Sequence, residues 1–176
     1  MEGSNAAPRF SMRFYLRTLS QLLASPRGFF TELPAEMGMG PPLGFLLVSS
    51  VVFTLASLMN TVLDPFTAGA IFLANAVGMV FITSGLGFMV MVMALGRKAG
   101  YGRIFAIYAF SAGVTLLSSW MPYFLFITEP WKWWLIFTGL TRSIGLKWTH
   151  ALMVIGISIA VLILFFYAML PLFPKA

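Results

Sequence analysis

The chain has no cysteine and one histidine, and only 9% of its 176 residues are charged. Each scarcity excludes chemistry. Without cysteine there is no disulfide, no thiol nucleophile, no cysteine lipidation and no thiolate metal site. One histidine without cysteine also leaves too few ligands for a dedicated transition-metal site. Soluble domains carry about 25% charged residues, whereas 60% of this chain is hydrophobic. No water-soluble fold of this length could cover that much apolar surface, so lipid must be the solvent for most of it. The length allows one domain.

Four long runs contain no charge: between Glu36 and Asp64, Asp64 and Arg97, Arg103 and Glu129, and Lys147 and Lys175. A bilayer core about 30 Å thick needs roughly 20 apolar residues in a helix. Every run exceeds that. The spans are expected at residues 43–63, 67–95, 104–121 (with a continuation toward 127) and 149–170. Between Glu129 and Trp148 lies a shorter piece whose charge-free core is only residues 133–141. Trp131, Trp133 and Trp134 stand at one end of it and Trp148 at the other. The separation from Trp131 to Trp148 is about 26 Å of helix, and tryptophan favours both membrane interfaces. This piece reads as a short fourth span whose Arg142 snorkels toward water.

Charge arbitrates the number of spans. The chain carries +6 overall, with eleven basic residues. Five spans with a cytoplasmic N-terminus place Arg9, Arg13, Arg17, Arg27, Arg97, Lys98, Arg103, Arg142 and Lys147 on one side. Four spans would move Arg142 and Lys147 to the other. The positive-inside rule favours five. The expectation is an all-α membrane protein with five transmembrane helices, the fourth short, in the cell inner membrane with its C-terminus outside. The basic segments suit anionic headgroups better than nucleic acid.

Residues 1–8 are small and polar and read as a disordered tail, and residues 172–176 as a second tail. Residues 9–42 read as an amphipathic basic helix and linker, and residues 43–171 as the membrane domain. In the leader, Met12, Tyr15, Leu16, Leu19, Leu22 and Leu23 follow helical spacing. Arg9, Arg13 and Arg17 recur on a neighbouring face, which suits a helix lying in the bilayer interface; packing on the membrane domain is the alternative. Ser25-Pro26 ends this helix, Phe29 and Phe30 offer an apolar plug, and residues 34–42, with three prolines and two glycines, read as a linker.

Within the spans the polar set is thin: Asn60, Asn75, Thr83, Ser84, Ser111, Thr115, Ser118, Thr138, Arg142, Ser158 and, at a helix start, His150. No carboxylate lies mid-span, and neither a Gly-x-Ser-x-Gly, a His-Glu-x-x-His nor a phosphate-binding glycine loop occurs. No catalytic residue, cofactor or metal is expected. Small residues permit close helix approach in lipid, and Ala70, Ala74 and Gly78 form such a row on the second span, Ala109 and Gly113 on the third, and Gly156 and Ala160 on the last. They are expected to pack inside the bundle, with homodimerisation as the alternative. Two functions remain: a membrane scaffold or organiser, and a small oligomeric channel or transporter. A polar cavity lined by Asn75, Ser84, Ser111 and Arg142 would favour transport; a tightly packed apolar centre would favour the scaffold.

The order of motifs adds a resemblance. A basic leader ending in Ser25-Pro26-Arg27-Gly28-Phe29-Phe30 precedes Pro42-Leu43-Gly44-Phe45. The middle loop reads Gly96-Arg97-Lys98-Ala99-Gly100-Tyr101, followed by Ile107-Tyr108-Ala109-Phe110-Ser111, Met121-Pro122 and Gly145-Leu146-Lys147. Over about residues 20–170 this resembles the Yip family (Ypt/Rab-interacting proteins), most closely its prokaryotic branch. The resemblance implies a five-helix membrane domain with a cytoplasmic N-terminus. Eukaryotic members act in vesicle traffic with Rab GTPases and assemble with one another; the long N-terminal region of those members has no counterpart here.

Overall fold

The computed structural model describes residues 10–62, 64–96 and 99–169, with only the backbone described at 122, 125, 166, 168 and 169. Arg9, Arg97, Lys98 and both expected tails lie outside the described residues. The described chain is helical: α1 (Met12–Ala24), α2 (Pro26–Thr31), α3 (Gly40–Leu58), α4 (Pro65–Leu95), α5 (Tyr101–Ser119), α6 (Leu125–Arg142) and α7 (Trp148–Met169), with one 3-10 turn at Pro122–Phe124. Among the described residues, α3, α4, α5 and α7 are long and apolar enough to cross a membrane. The protein is membrane-embedded.

Local signals explain the boundaries. Ser11 caps α1 by accepting the Phe14 N–H at 3.1 Å. Proline opens three helices: Pro26 at the start of α2, Pro41 and Pro42 in the first turn of α3, and Pro65 at the start of α4. The first turn of a helix has no use for a proline N–H, and its fixed φ suits the position. The expected linker therefore ends earlier than residue 42, and Phe29 and Phe30 belong to a second short helix. Asp64 caps α4 through the Thr67 N–H at 2.9 Å and the Thr67 hydroxyl at 3.0 Å. At its other end α4 stops on Gly96, whose φ of 59° is left-handed and open to glycine.

The helices are arranged around α5. From Ile104 to Thr115 every residue of α5 is buried, as befits a helix enclosed on all sides. Helices α3, α4 and α6 flank it, and α7 packs on α4 and α6. Gly102 at the start of α5 meets the Met37 carbonyl and Met39 beside the start of α3. Tyr101 meets Ser84 and Phe88 in the second half of α4. These contacts define one end of the bundle, which also carries Arg103, Arg142 and Lys147: the basic end. The opposite end carries Asp64 and Glu129: the acidic end.

Two expectations change here. The fourth segment begins at Leu125, so Glu129, Pro130 and Lys132 lie inside α6 rather than ahead of it, and Trp148 belongs to α7. The 3-10 turn after α5 reverses the chain at once, so residues 125–127 start α6 instead of extending the third span. Helix α6 then runs antiparallel to α5 over its full length. Arg103 Nε donates to Ser143 Oγ at 2.9 Å, Gly139 lies against Ile107, and Ser119 Oγ lies 3.3 Å from Thr128 Oγ1.

The leader is packed on the bundle. Tyr15, Thr18 and Leu22 are buried. The Tyr15 hydroxyl lies 3.2 Å from Ser49 Oγ, and its ring sits 4.9 Å from that of Phe45. Phe14 and Phe29 both reach Phe110, with ring centroids at 6.5 and 5.1 Å. Phe110 is the midpoint of α5, so α1 and α2 reach half its height and close the ring around its basic-end half. The opposite face of α1 stays exposed, and it mixes Met12, Leu16 and Leu23 with Arg13 and Arg17.

Candidate functional site: a cavity toward the acidic end

The small row picked out on α4 faces outward. Ala70 and Ala74 are exposed, and a side chain added at Gly78 would meet open space. The face of α4 that packs inward is Ala76, Val80, Ser84, Gly87 and Met91. Close approach is achieved elsewhere. A Cβ at Gly113 would lie 2.7 Å from the Phe45 ring, and one at Gly139 would collide with Ile107. Gly87 makes room in the same way for the Tyr108 hydroxyl.

The polar residues scatter. Ser84, Ser111, Thr115, Thr138 and Ser158 are buried, Asn60 and Asn75 are exposed, and Arg142 is exposed at the C-terminal end of α6. Arg13 and Arg17 are exposed on α1, Trp131 is half-buried, and Trp148 is exposed at the opposite end of the bundle. Thr83, Thr115, Thr138 and Thr141 each donate to a carbonyl one turn back, the usual resting state of such hydroxyls in membrane helices.

One cavity brings several of these groups together. It has a volume of about 390 Å³ and lies between α4, α5, α6 and α7. Along α5 it runs from Tyr108 to Ser119, about 16 Å of helix. Its walls include Met79, Val80, Ala112, Ile136 and Leu162, and at the acidic end it is bordered by Glu129, Lys132 and Trp133. Of the four residues expected to line a polar path, only Asn75 borders it. The Tyr108 side chain is 1% exposed, and its hydroxyl sits near Ser158 without reaching hydrogen-bond geometry.

Glu129 and Lys132 form an ion pair one turn apart on α6. Lys132 Nζ also lies 5.7 Å from the centre of the Trp133 ring, within cation–π range. Pairing makes the charges compatible with the edge of a bilayer: the carboxylate and the ammonium neutralise each other, and the side chains are 45% and 24% exposed respectively. Sequence reasoning missed this pair because it began the fourth segment beyond it. The signal was present, since opposite charges three residues apart meet on a helix. Among the described residues, no three His, Cys, Asp or Glu side chains come together.

No family model, curated protein or solved structure matches the chain. The likeness to the Yip family rests on the motifs quoted above.

Proposed function

We propose that the chain is a five-span membrane protein of Yip-like type that organises or shapes the bilayer without catalysing a reaction. In this reading α6 is the fifth crossing, the basic end faces the cytoplasm, the C-terminus lies outside, and the membrane is a prokaryotic inner membrane. Support for α6 as a span comes from its pairing with α5 from end to end: a bilayer that covers one must cover the other. Support for the orientation comes from the basic residues: Arg103, Arg142 and Lys147 lie at one end, against Lys132, which is paired with Glu129, at the other.

The observation that carries the function is the position of α1 and α2. They enlarge the cross-section of the basic-end half of the bundle, where they contact Phe45, Ser49 and Phe110. Over residues 116–119, toward the acidic end, α5 is only half-buried. A body wider in one leaflet than in the other favours a curved bilayer. The exposed arginines of α1 reinforce this by drawing anionic lipid to that leaflet, at about 1 kcal/mol per basic residue near the surface. The outward row of Ala70 and Ala74 leaves a surface for a second copy or another membrane protein. The transport reading has less support, because Ser84 and Ser111 are buried and border no part of the cavity, and Arg142 is exposed at the other end of α6 from the cavity rim that Glu129 and Lys132 form.

Reconstitution tests the proposal. Vesicles containing anionic lipid and the full chain are expected to be more sharply curved by electron cryomicroscopy than protein-free vesicles, and the Arg13→Glu, Arg17→Glu variant is expected to lose part of that effect. Identical diameter distributions with and without protein would refute the reading.

A further inference from the structure

From the cavity and its rim we infer that the protein holds one zwitterionic phospholipid, with an acyl chain in the cavity and its headgroup on Glu129 and Lys132. The inference goes beyond the shaping role and does not depend on which end faces the cytoplasm.

Three features fit this ligand. The first is shape: the cavity extends about 16 Å along α5, between Tyr108 and Ser119, a length suited to an extended hydrocarbon chain. The second is the walls. Met79, Val80, Ala112, Ile136 and Leu162 are apolar. The hydroxyls of Thr83, Thr115 and Ser119 donate to carbonyls of their own helices, so they do not present unpaired donors to a hydrocarbon chain. Away from the rim, the other polar groups on the lining are the Asn75 amide and the buried Tyr108 hydroxyl, which has no hydrogen-bond partner; both are set among apolar walls.

The third feature is the rim. Glu129 and Lys132 carry opposite charges on adjacent turns, level with the last turns of α5. A phosphoethanolamine or phosphocholine headgroup carries the complementary pair, its ammonium matching Glu129 and its phosphate matching Lys132. Trp133, already beside Lys132, offers a further face to a headgroup cation. An anionic headgroup would satisfy Lys132 and repel Glu129.

Native mass spectrometry of the full chain in detergent tests this with palmitoyl-oleoyl phosphatidylethanolamine and phosphatidylglycerol as probes. The wild type is expected to retain one phosphatidylethanolamine and to prefer it about tenfold, the worth of one charge-assisted contact. Ala112→Phe fills the cavity and is expected to abolish retention. Glu129→Gln, at a partly exposed side chain that threatens folding little, leaves Lys132 unpaired and is expected to turn the preference toward phosphatidylglycerol. Equal retention of both lipids by the wild type would overturn the inference. So would a preference unchanged by Glu129→Gln, whether or not Ala112→Phe folds.

Discussion

Helices α5 and α7 show how lipid inverts the usual rule of burial. By composition α5 is the least apolar of the four long helices and α7 the most apolar. Yet 61% of the α5 span is buried inside the protein and only 22% of the α7 span. In water the most apolar segment would occupy the centre. In a bilayer an apolar side chain gains no hydrophobic free energy by leaving lipid for protein, only close packing, so lipid contact is left to the helices richest in Leu, Ile, Val and Phe. The centre goes to the helix whose glycine, alanine and hydroxyl residues permit close packing. Ala106, Ala109, Ala112 and Gly113 make α5 that helix.

The sharpest way to break this comparison is to truncate one large apolar side chain on each helix. Phe110→Ala is expected to destabilise the protein by about 3 kcal/mol, the low end for an aromatic core truncation, because Phe14, Phe29 and Phe45 all stack on that ring. Ile163→Ala, at a position 63% exposed on α7, should stay within about 0.5 kcal/mol of the wild type. Titration with sodium dodecyl sulfate, followed by circular dichroism, measures both; equal losses would remove the distinction between packed and lipid-facing spans.

Glycine substitutions sharpen it further. Gly139→Ala forces a methyl group into Ile107, whose β-branch has little freedom to yield, so a loss of about 1–3 kcal/mol is expected. Gly78→Ala adds the same methyl to open space on α4 and should stabilise by up to about 1 kcal/mol through helix propensity. The same titration reads both, and a loss at Gly78 would show that the outward face of α4 is covered after all.

The smallest expected effect lies outside the spans, at Asp64. The Thr67 N–H, then the Thr67 hydroxyl, hold its carboxyl below the ordinary carboxylate range. A depressed pKa means that the cap contributes fully above the unfolded value and is lost only as the pH falls through the lower folded one. The Thr67 amide resonance in micelles should therefore titrate below the ordinary carboxylate range. Titration at the ordinary value would show that the cap is not made in solution.

The four apolar runs could be recognised without a structure, and so could the helical leader and the separate character of the segment before Trp148. The row of Ala109 and Gly113 on α5 does pack inside the bundle, but which face of α4 or of the leader packs could not be read. Ala70, Ala74 and Gly78 have the spacing of a packing face, yet they lie outward while Ala76, Val80 and Gly87 pack. Both faces of α4 are apolar enough for lipid, so periodicity carries no preference between them. The leader shows the same ambiguity: of its six apolar positions, Tyr15 and Leu22 are buried in the bundle, while Met12, Leu16 and Leu23 remain outside. The Glu129–Lys132 pair was hidden by a boundary, since the helix that unites them starts six residues before Trp131.

The order of apolar and charged residues determined the solvent and the four segments apolar enough to cross, because the cost of moving a helix from water into lipid depends on its own side chains and not on its neighbours. Only the tertiary structure decided that α5 is central, that α1 and α2 reach its midpoint, and that a cavity opens beside Glu129 and Lys132. Those choices rest on shape, on whether a glycine in one helix admits a ring or a branched chain from the next, and a linear pattern of hydropathy does not encode shape.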